Sequence, residues 1–211
     1  VAPSVEKVLT EVRNLQRTEI AEVAEVFDVE KQVGSSTMAH KRNPITAENA
    51  CGLARIVRSM VMPTWENAIL WHERDLANSS AERFTLSHSV VLLDDVLLKT
   101  DQVLGKLVVD APRMLANIES QNGLVMAEKV MIALVDKGMP RDEAHEVLRS
   151  ASMEALASRT HLEDICARTP AIAALFDGDE LHGLFDPASH LGVSGELVDE
   201  TVALARQAIG E

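Results

Sequence analysis

The run from Ser80 to Lys106 constrains the fold more than any other part of this chain. Its spacing predicts one long helix, and within it Val90, Val91, Leu92, Leu93, Val96, Leu97 and Leu98 leave hardly any polar face. A helix that is apolar all round belongs inside a bundle, surrounded by other helices, rather than on a surface. Composition agrees. Hydrophobic residues make up 46% of the 211, but only 3% are aromatic and none is tyrosine, so Leu, Val, Ala, Ile and Met must fill the core. An all-α fold is expected.

Three more segments complete the helical reading. Val5, Val8, Val12 and Leu15 recur at three- and four-residue intervals and predict a helix from Ser4 to Phe27 with those four on its buried face, Glu19, Glu22 and Glu25 facing elsewhere. A second helix is expected from Pro44 to Met62, with Asn43 as its cap, and a short one from Arg113 to Glu119 after Pro112. A break at Ser120-Gln121-Asn122-Gly123 precedes shorter helices separated by Gly138-Met139-Pro140, Thr169-Pro170 and Asp186-Pro187. That shift in helix length predicts a boundary, with a long-helix bundle over 1–119 and a smaller helical domain over 120–211.

Between the first two helices lies Gly34-Ser35-Ser36-Thr37-Met38-Ala39-His40-Lys41-Arg42-Asn43-Pro44. Gly34 permits positive φ and brings backbone amides toward an anion, the three hydroxyls add donors, and His40, Lys41 and Arg42 add positive charge. The composition suits an anionic ligand and equally suits a solvated turn before a helix.

The pattern Gly-Ser-Ser-x-Met-x-x-Lys-x-Asn-Pro resembles the signature of the fumarase/aspartase superfamily, whose members eliminate fumarate or a related acid from a succinyl group. Trp71-His72-Glu73-Arg74-Asp75-Leu76-Ala77-Asn78-Ser79-Ser80-Ala81-Glu82-Arg83 and Arg13-Asn14-Leu15-Gln16-Arg17-Thr18-Glu19 are similar to stretches of the adenylosuccinate lyases within it, and the similarity runs on to Gly138–His145. Ala39 departs from the family, which usually has proline there. Such lyases are about twice this length, so the resemblance implies that the chain is the C-terminal portion of one, lacking the N-terminal domain that bears the catalytic histidines and inactive alone.

The same resemblance implies the chemistry. The catalytic loop is 28–43, Ser35 is the base, Lys41 and Asn43 stabilise the substrate carboxylate, and Glu48 orients a histidine from outside the chain. Ser36, Met38, His40, Asn43, Arg74, Ser79 and Arg83 would contact substrate, with Ser79 and Arg83 at the 5′-phosphate, where a guanidinium fork suits phosphate oxygens. The substrates would be adenylosuccinate and SAICAR, and the assembly a homotetramer with active sites shared between subunits. Bland readings stand beside these: Glu48 as an N-terminal helix carboxylate favoured by the dipole, and Asn78 or Ser79 as a cap with Glu82 as capping-box partner and Arg83 in a surface pair. Argininosuccinate lyase, fumarase, aspartase and carboxymuconate cycloisomerase share the loop, but the Ser-Ser-Ala-Glu-Arg stretch separates them. The alternatives are another lyase of the superfamily, such as carboxymuconate cycloisomerase or argininosuccinate lyase, and a catalytically inactive helical scaffold.

Charge and residue usage exclude other classes. A net charge of -13 argues against nucleic-acid binding. No apolar run reaches the roughly 18 to 20 residues that span a bilayer, so no membrane partner is expected. His72, His88, His145, His161, His182 and His190 lack ligand-like spacing, so neither a metal nor another cofactor is expected. Cys51 and Cys166 have the apolar neighbours of core residues and read as free cytoplasmic thiols.

Overall fold

The computed structural model describes residues 1–26 and 42–210. The chain divides into two compact units, Val1–Met114 and Leu115–Glu211. The first contains helices α1 (Ala2–Leu15), α2 (Ile45–Ser59), α3 (Val61–Glu66) and α4 (Ala77–Gly105), the two-residue strands β1 (Val23–Ala24) and β2 (Val108–Val109), and the start of α5 (Ala111–Glu119).

Helix α2 packs against both α1 and α4. It presents Ala47, Ala50, Cys51 and Ala54, all buried, and small side chains of this kind let helix axes approach closely. Leu9 and Val12 of α1, Val96 and Val103 of α4, and Val23 of β1 close the core around them. At its edge Glu6 of α1 meets Arg55 of α2 at 3.3 Å and also pairs with Arg58.

Helix α1 is much shorter than its sequence predicts. It ends at Leu15 rather than Phe27, and the chain then reverses: the amides of Ile20 and Ala21 donate back to the Arg17 carbonyl at 2.9 and 2.7 Å, with Ala21 left-handed at φ 56°. Val23 and Ala24 pair antiparallel with Val109 and Val108. Arg113 donates through Nε to the Ile20 carbonyl at 3.0 Å and through Nη2 to that of Glu19 at 3.1 Å. These long-range partners take the polar groups a continuing helix would have satisfied internally, so tertiary contact overrides helical periodicity. The buried stripe also differs: Ala2, Leu9 and Val12 are buried with Val5 and Leu15 at the margin, while Val8 is 44% exposed.

Helix α2 likewise departs from expectation. It stops at Ser59, and α3 follows after Met60. Asn43 contributes no side-chain cap, and Pro44 occupies the cap position instead of opening the helix.

The second unit is built from α6 (Ala127–Asp136), α7 (Arg141–Ser158), α8 (Leu162–Arg168), α9 (Pro170–Ala173), α10 (Gly178–Leu184) and α11 (Ser194–Ile209), with 3-10 turns at Leu124–Met126 and Pro187–His190. Ala144, Leu148, Ala151 and Ala155 form one stripe of α7, and Val130, Leu134, Leu162, Ile165, Ile172, Leu181 and Phe185 pack around it. Gly123 opens the unit at φ 76°, and a Cβ there would fall 2.6 Å from Cε1 of His161, so both the turn and the overlying imidazole require glycine. Cys51 and Cys166 are free and buried, as expected. Burial, helped by Glu163, pushes the Cys166 thiol up to about 12.

Helix α4 carries the discrepancy that matters most for function. Only Thr85, Val96 and Val103 of its 29 residues are buried. Phe84, Leu86, Val90, Val91 and Leu98 are each at least 60% exposed, and on α3 and the turn after it Trp65, Ile69 and Trp71 are 70% or more. Among the described residues of its own unit, α4 does not find the neighbours that its apolar sequence demands.

Candidate active site

Two groups of expected site residues fall within the described structure. Ser35, Ser36, Met38, His40 and Lys41 lie outside it, as does most of loop 28–43.

The first group sits at the start of α2. Asn43 is half-buried just before the helix and Glu48 is exposed in its first turn. The four opening amides of α2 are all satisfied: Ile45 donates to the Asn43 carbonyl at 2.9 Å and Glu48 to that of Pro44 at 2.9 Å, while Thr46 and Ala47 donate to the two carboxylate oxygens of Glu25, each at 3.1 Å. The residue filling the capping role expected of Asn43 is therefore a glutamate twenty-one positions before Thr46. Gln16, at the end of α1, reaches both sides of the intervening segment. Its Oε1 accepts from the Glu25 amide at 2.8 Å and its Nε2 donates to the Arg42 carbonyl at 3.4 Å. Local pattern gives no sign of either role, because both partners are remote in sequence.

The second group surrounds the start of α4. Arg74 is exposed in the preceding turn, Ser79 is half-buried and Arg83 exposed. Ser79 and Arg83, four residues apart on one helix, share a face. The cap is neither Asn78 nor Ser79: α4 begins at Ala77, and Asp75 accepts from the Ala77 amide at 2.8 Å and the Trp71 amide at 2.9 Å. Those two amides hold the Asp75 carboxyl below its ordinary range. Asn78 donates to Glu82 at 2.9 Å, which leaves Glu82 in a side-chain pair rather than a capping box. Arg83 makes no ion pair among the described residues, so its guanidinium is open to a ligand anion.

These two groups do not meet within one chain. Lys99 Nζ donates to Asn49 Oδ1 at 2.6 Å, which sets Lys99 level with the first turns of α2. Thr85, Leu86 and Ser89 line one cavity with Val57, Met60 and Val61, which sets the start of α4 level with the far end of α2. The helices are thus antiparallel. The sixteen residues from Arg83 to Lys99 span about 24 Å at 1.5 Å per residue, and Glu48 and Arg83 are separated by that order, farther than one small substrate reaches.

Among the described residues no three His, Cys, Asp or Glu side chains converge as a metal-ligand group, and no helix is long and apolar enough to cross a membrane.

Comparison with known proteins identifies the relationship. A family model described as adenylosuccinate lyase C-terminus matches residues 123–201, and one described as lyase matches residues 1–59. Adenylosuccinate lyases of Archaeoglobus fulgidus and Methanocaldococcus jannaschii are 45% and 42% identical over 202 residues, 96% of this chain. The chain spans only 45% and 44% of the length of those relatives. Among solved structures, the 3-carboxy-cis,cis-muconate lactonizing enzyme of Pseudomonas putida superposes with a TM-score of 0.84 at 33% identity, covering 96% of this chain and 44% of that one. The fumarate lyase of Mesorhizobium sp. BNC1 also gives 0.84, at 27% identity with the same coverages. The chain belongs to the adenylosuccinate lyase family of the fumarase/aspartase superfamily.

Proposed function

We propose that this chain forms part of an adenylosuccinate lyase, which eliminates fumarate from adenylosuccinate to give AMP and from SAICAR to give AICAR. The observation that carries this reading is identity of 42–45% to adenylosuccinate lyases across 96% of the chain, together with the exposed Arg83 one turn after Ser79 at a helix start, where phosphate is favoured.

The reaction breaks the bond between a purine-side nitrogen and a succinyl carbon after a proton leaves the neighbouring carbon. That proton is weakly acidic, and its loss places charge on the adjacent carboxylate as an aci-form. Ser35 takes the proton as alkoxide, Lys41 and Asn43 stabilise the carboxylate oxygens, and a histidine from outside this chain, oriented by Glu48, returns a proton to the leaving nitrogen. Arg74, Ser79 and Arg83 hold the nucleotide, with Ser36, Met38 and His40 lining the succinyl end. No metal or other cofactor is needed for this elimination.

Homotetrameric assembly follows the same reading. Two features support it: the roughly 24 Å between the two candidate groups along α4, which requires another copy to complete each site, and the uncovered apolar side chains of α4. A cytoplasmic location fits two free buried thiols.

The test is turnover by the full-length gene product. Release of fumarate and AMP from adenylosuccinate is expected, with none from the 211-residue chain alone. Arg83→Ala should raise KM for the nucleotide about 10- to 100-fold, the loss of a charge-assisted contact, and an unchanged KM would remove Arg83 from the phosphate site. A second reading, lactonization of a carboxymuconate, is favoured by the likeness to the Pseudomonas putida enzyme, and turnover of that substrate without adenylosuccinate turnover would replace the first.

A further inference from the structure

We propose that Glu25 and Gln16 are positioning residues for the elimination: they clamp together the two stems of segment 27–41 and fix the start of α2, and with it Asn43 and Glu48. This rests on the lyase reading above for its catalytic consequence, but the clamp itself is read from hydrogen bonds. Glu25 Oε1 and Oε2 accept from Thr46 and Ala47 at 3.1 Å each. Gln16 accepts from the Glu25 amide at 2.8 Å and donates to the Arg42 carbonyl at 3.4 Å. Residue 16 thus holds residue 25 and residue 42, while residue 25 holds residues 46 and 47.

A helix start is ordinarily capped by a serine, threonine, aspartate or asparagine at the cap position, but here that position is held by Pro44, which has no side-chain acceptor. The remote cap instead adds the entropy cost of closing the intervening segment. What it provides in return is register. Asn43 lies between the Gln16 contact at Arg42 and the Glu25 contacts at Thr46 and Ala47, so it is tied on both sides, and Glu48 follows directly. The carboxylate also sits where the dipole of α2 favours negative charge, and both oxygens are used, which resists rocking of the first turn. Gln16 belongs to the Arg13–Glu19 stretch that resembles the adenylosuccinate lyases, yet it has no part in the chemistry derived above.

The experiment compares Glu25→Ala, Glu25→Gln and Gln16→Ala in the full-length gene product by steady-state kinetics and by hydrogen exchange of the 44–50 backbone. In Glu25→Ala, kcat should fall about 100-fold, the effect of a misplacement near 1 Å, with KM within about threefold and the oligomer intact. Glu25→Gln keeps one acceptor and should recover to within about tenfold of wild type. Exchange at Thr46 and Ala47 should quicken in both alanine variants, because Gln16 acts on those amides through Glu25. Wild-type kcat in Glu25→Ala, or unchanged exchange at Thr46 and Ala47 in either alanine variant, overturns the proposal. If the wild-type protein turns over no adenylosuccinate, the lyase reading fails and with it the positioning role, while the exchange data still decide whether the clamp exists.

Discussion

The two units solve the problem of a hydrophobic core in opposite ways. In the second, α7 buries one stripe, Ala144, Leu148, Ala151 and Ala155, and turns the rest of its surface to solvent with charged residues such as Glu146 and Arg149, joined at 2.6 Å. Its core is filled from within by Leu134, Leu162, Ile165 and Ile172, all fully buried. In the first unit the longest helix buries three side chains and leaves a face of leucine and valine open. Each of those side chains is worth about 1.5–3 kcal/mol when fully buried. The α6–α10 part of the second unit closes on itself, although α11 buries none of its residues and leaves Leu197, Val198 and Leu204 open; the first unit is half of a core. An amphipathic helix and an evenly apolar one differ little in hydrophobic content, but they imply different stoichiometries.

The largest test of this contrast is separation. Residues 115–190, which hold the closed core without α11, should unfold cooperatively as a monomer when expressed alone, whereas residues 1–114 alone should self-associate or fail to fold, as read by sedimentation and thermal melting; a well-behaved monomer of 1–114 would break the comparison. Next in size is the open face of α4. Val90→Asp with Leu98→Asp should lower the sedimenting mass of the full-length protein toward a single chain, and an unchanged mass would mean that solvent, not another copy, covers those positions. Within the self-sufficient unit, Leu134→Ala should cost about 2–5 kcal/mol of unfolding free energy, while a change at the exposed Met153 to Ala should stay within about 0.5 kcal/mol.

The smallest effect concerns pH. His182 Nδ1 lies 2.8 Å from Glu163 Oε1, and the Glu163 carboxylate, with lesser help from Asp179 and Asp186, raises the imidazole above its ordinary 6.5. A raised folded-state value means that the contribution is fully present below 6.5 and disappears as pH climbs through the raised value. The melting temperature of residues 115–190 should therefore drift down as pH rises above 6.5, and His182→Asn should flatten the drift. The ring is 79% exposed, so solvent screening keeps the effect small.

How far the sequence could be read follows from the range of the interactions involved. The helical class and the apolar character of α4 were legible because periodicity is a local property. So was the break before Gly123, whose positive φ and contact with His161 match the turn signal. The end of α1 was not legible, since Arg113 and β2, some ninety residues away, supply the partners that draw residues 19–24 out of the helix. The cap of α2 was missed for the same reason. Asp75 was missed differently: it stood two residues before Ala77, but Asn78 and Ser79 offered the same signal one turn later. At the candidate site the motifs pointed to Asn43, Glu48, Arg74, Ser79 and Arg83, but that α2 and α4 run antiparallel and hold them apart is a fact of packing.

That separation reaches beyond chemistry into inheritance. If each pocket draws its Glu48 end from one copy and its Arg83 end from another, two defective versions of the gene need not spoil the same pockets. A cell carrying one copy damaged at Glu48 and another at Arg83 would assemble mixed particles in which some pockets receive two sound parts, and would regain part of an activity that neither version has alone. Two lesions at the same end would offer no such rescue, so the pattern of pairwise rescue among mutants would map which residues travel together on one chain.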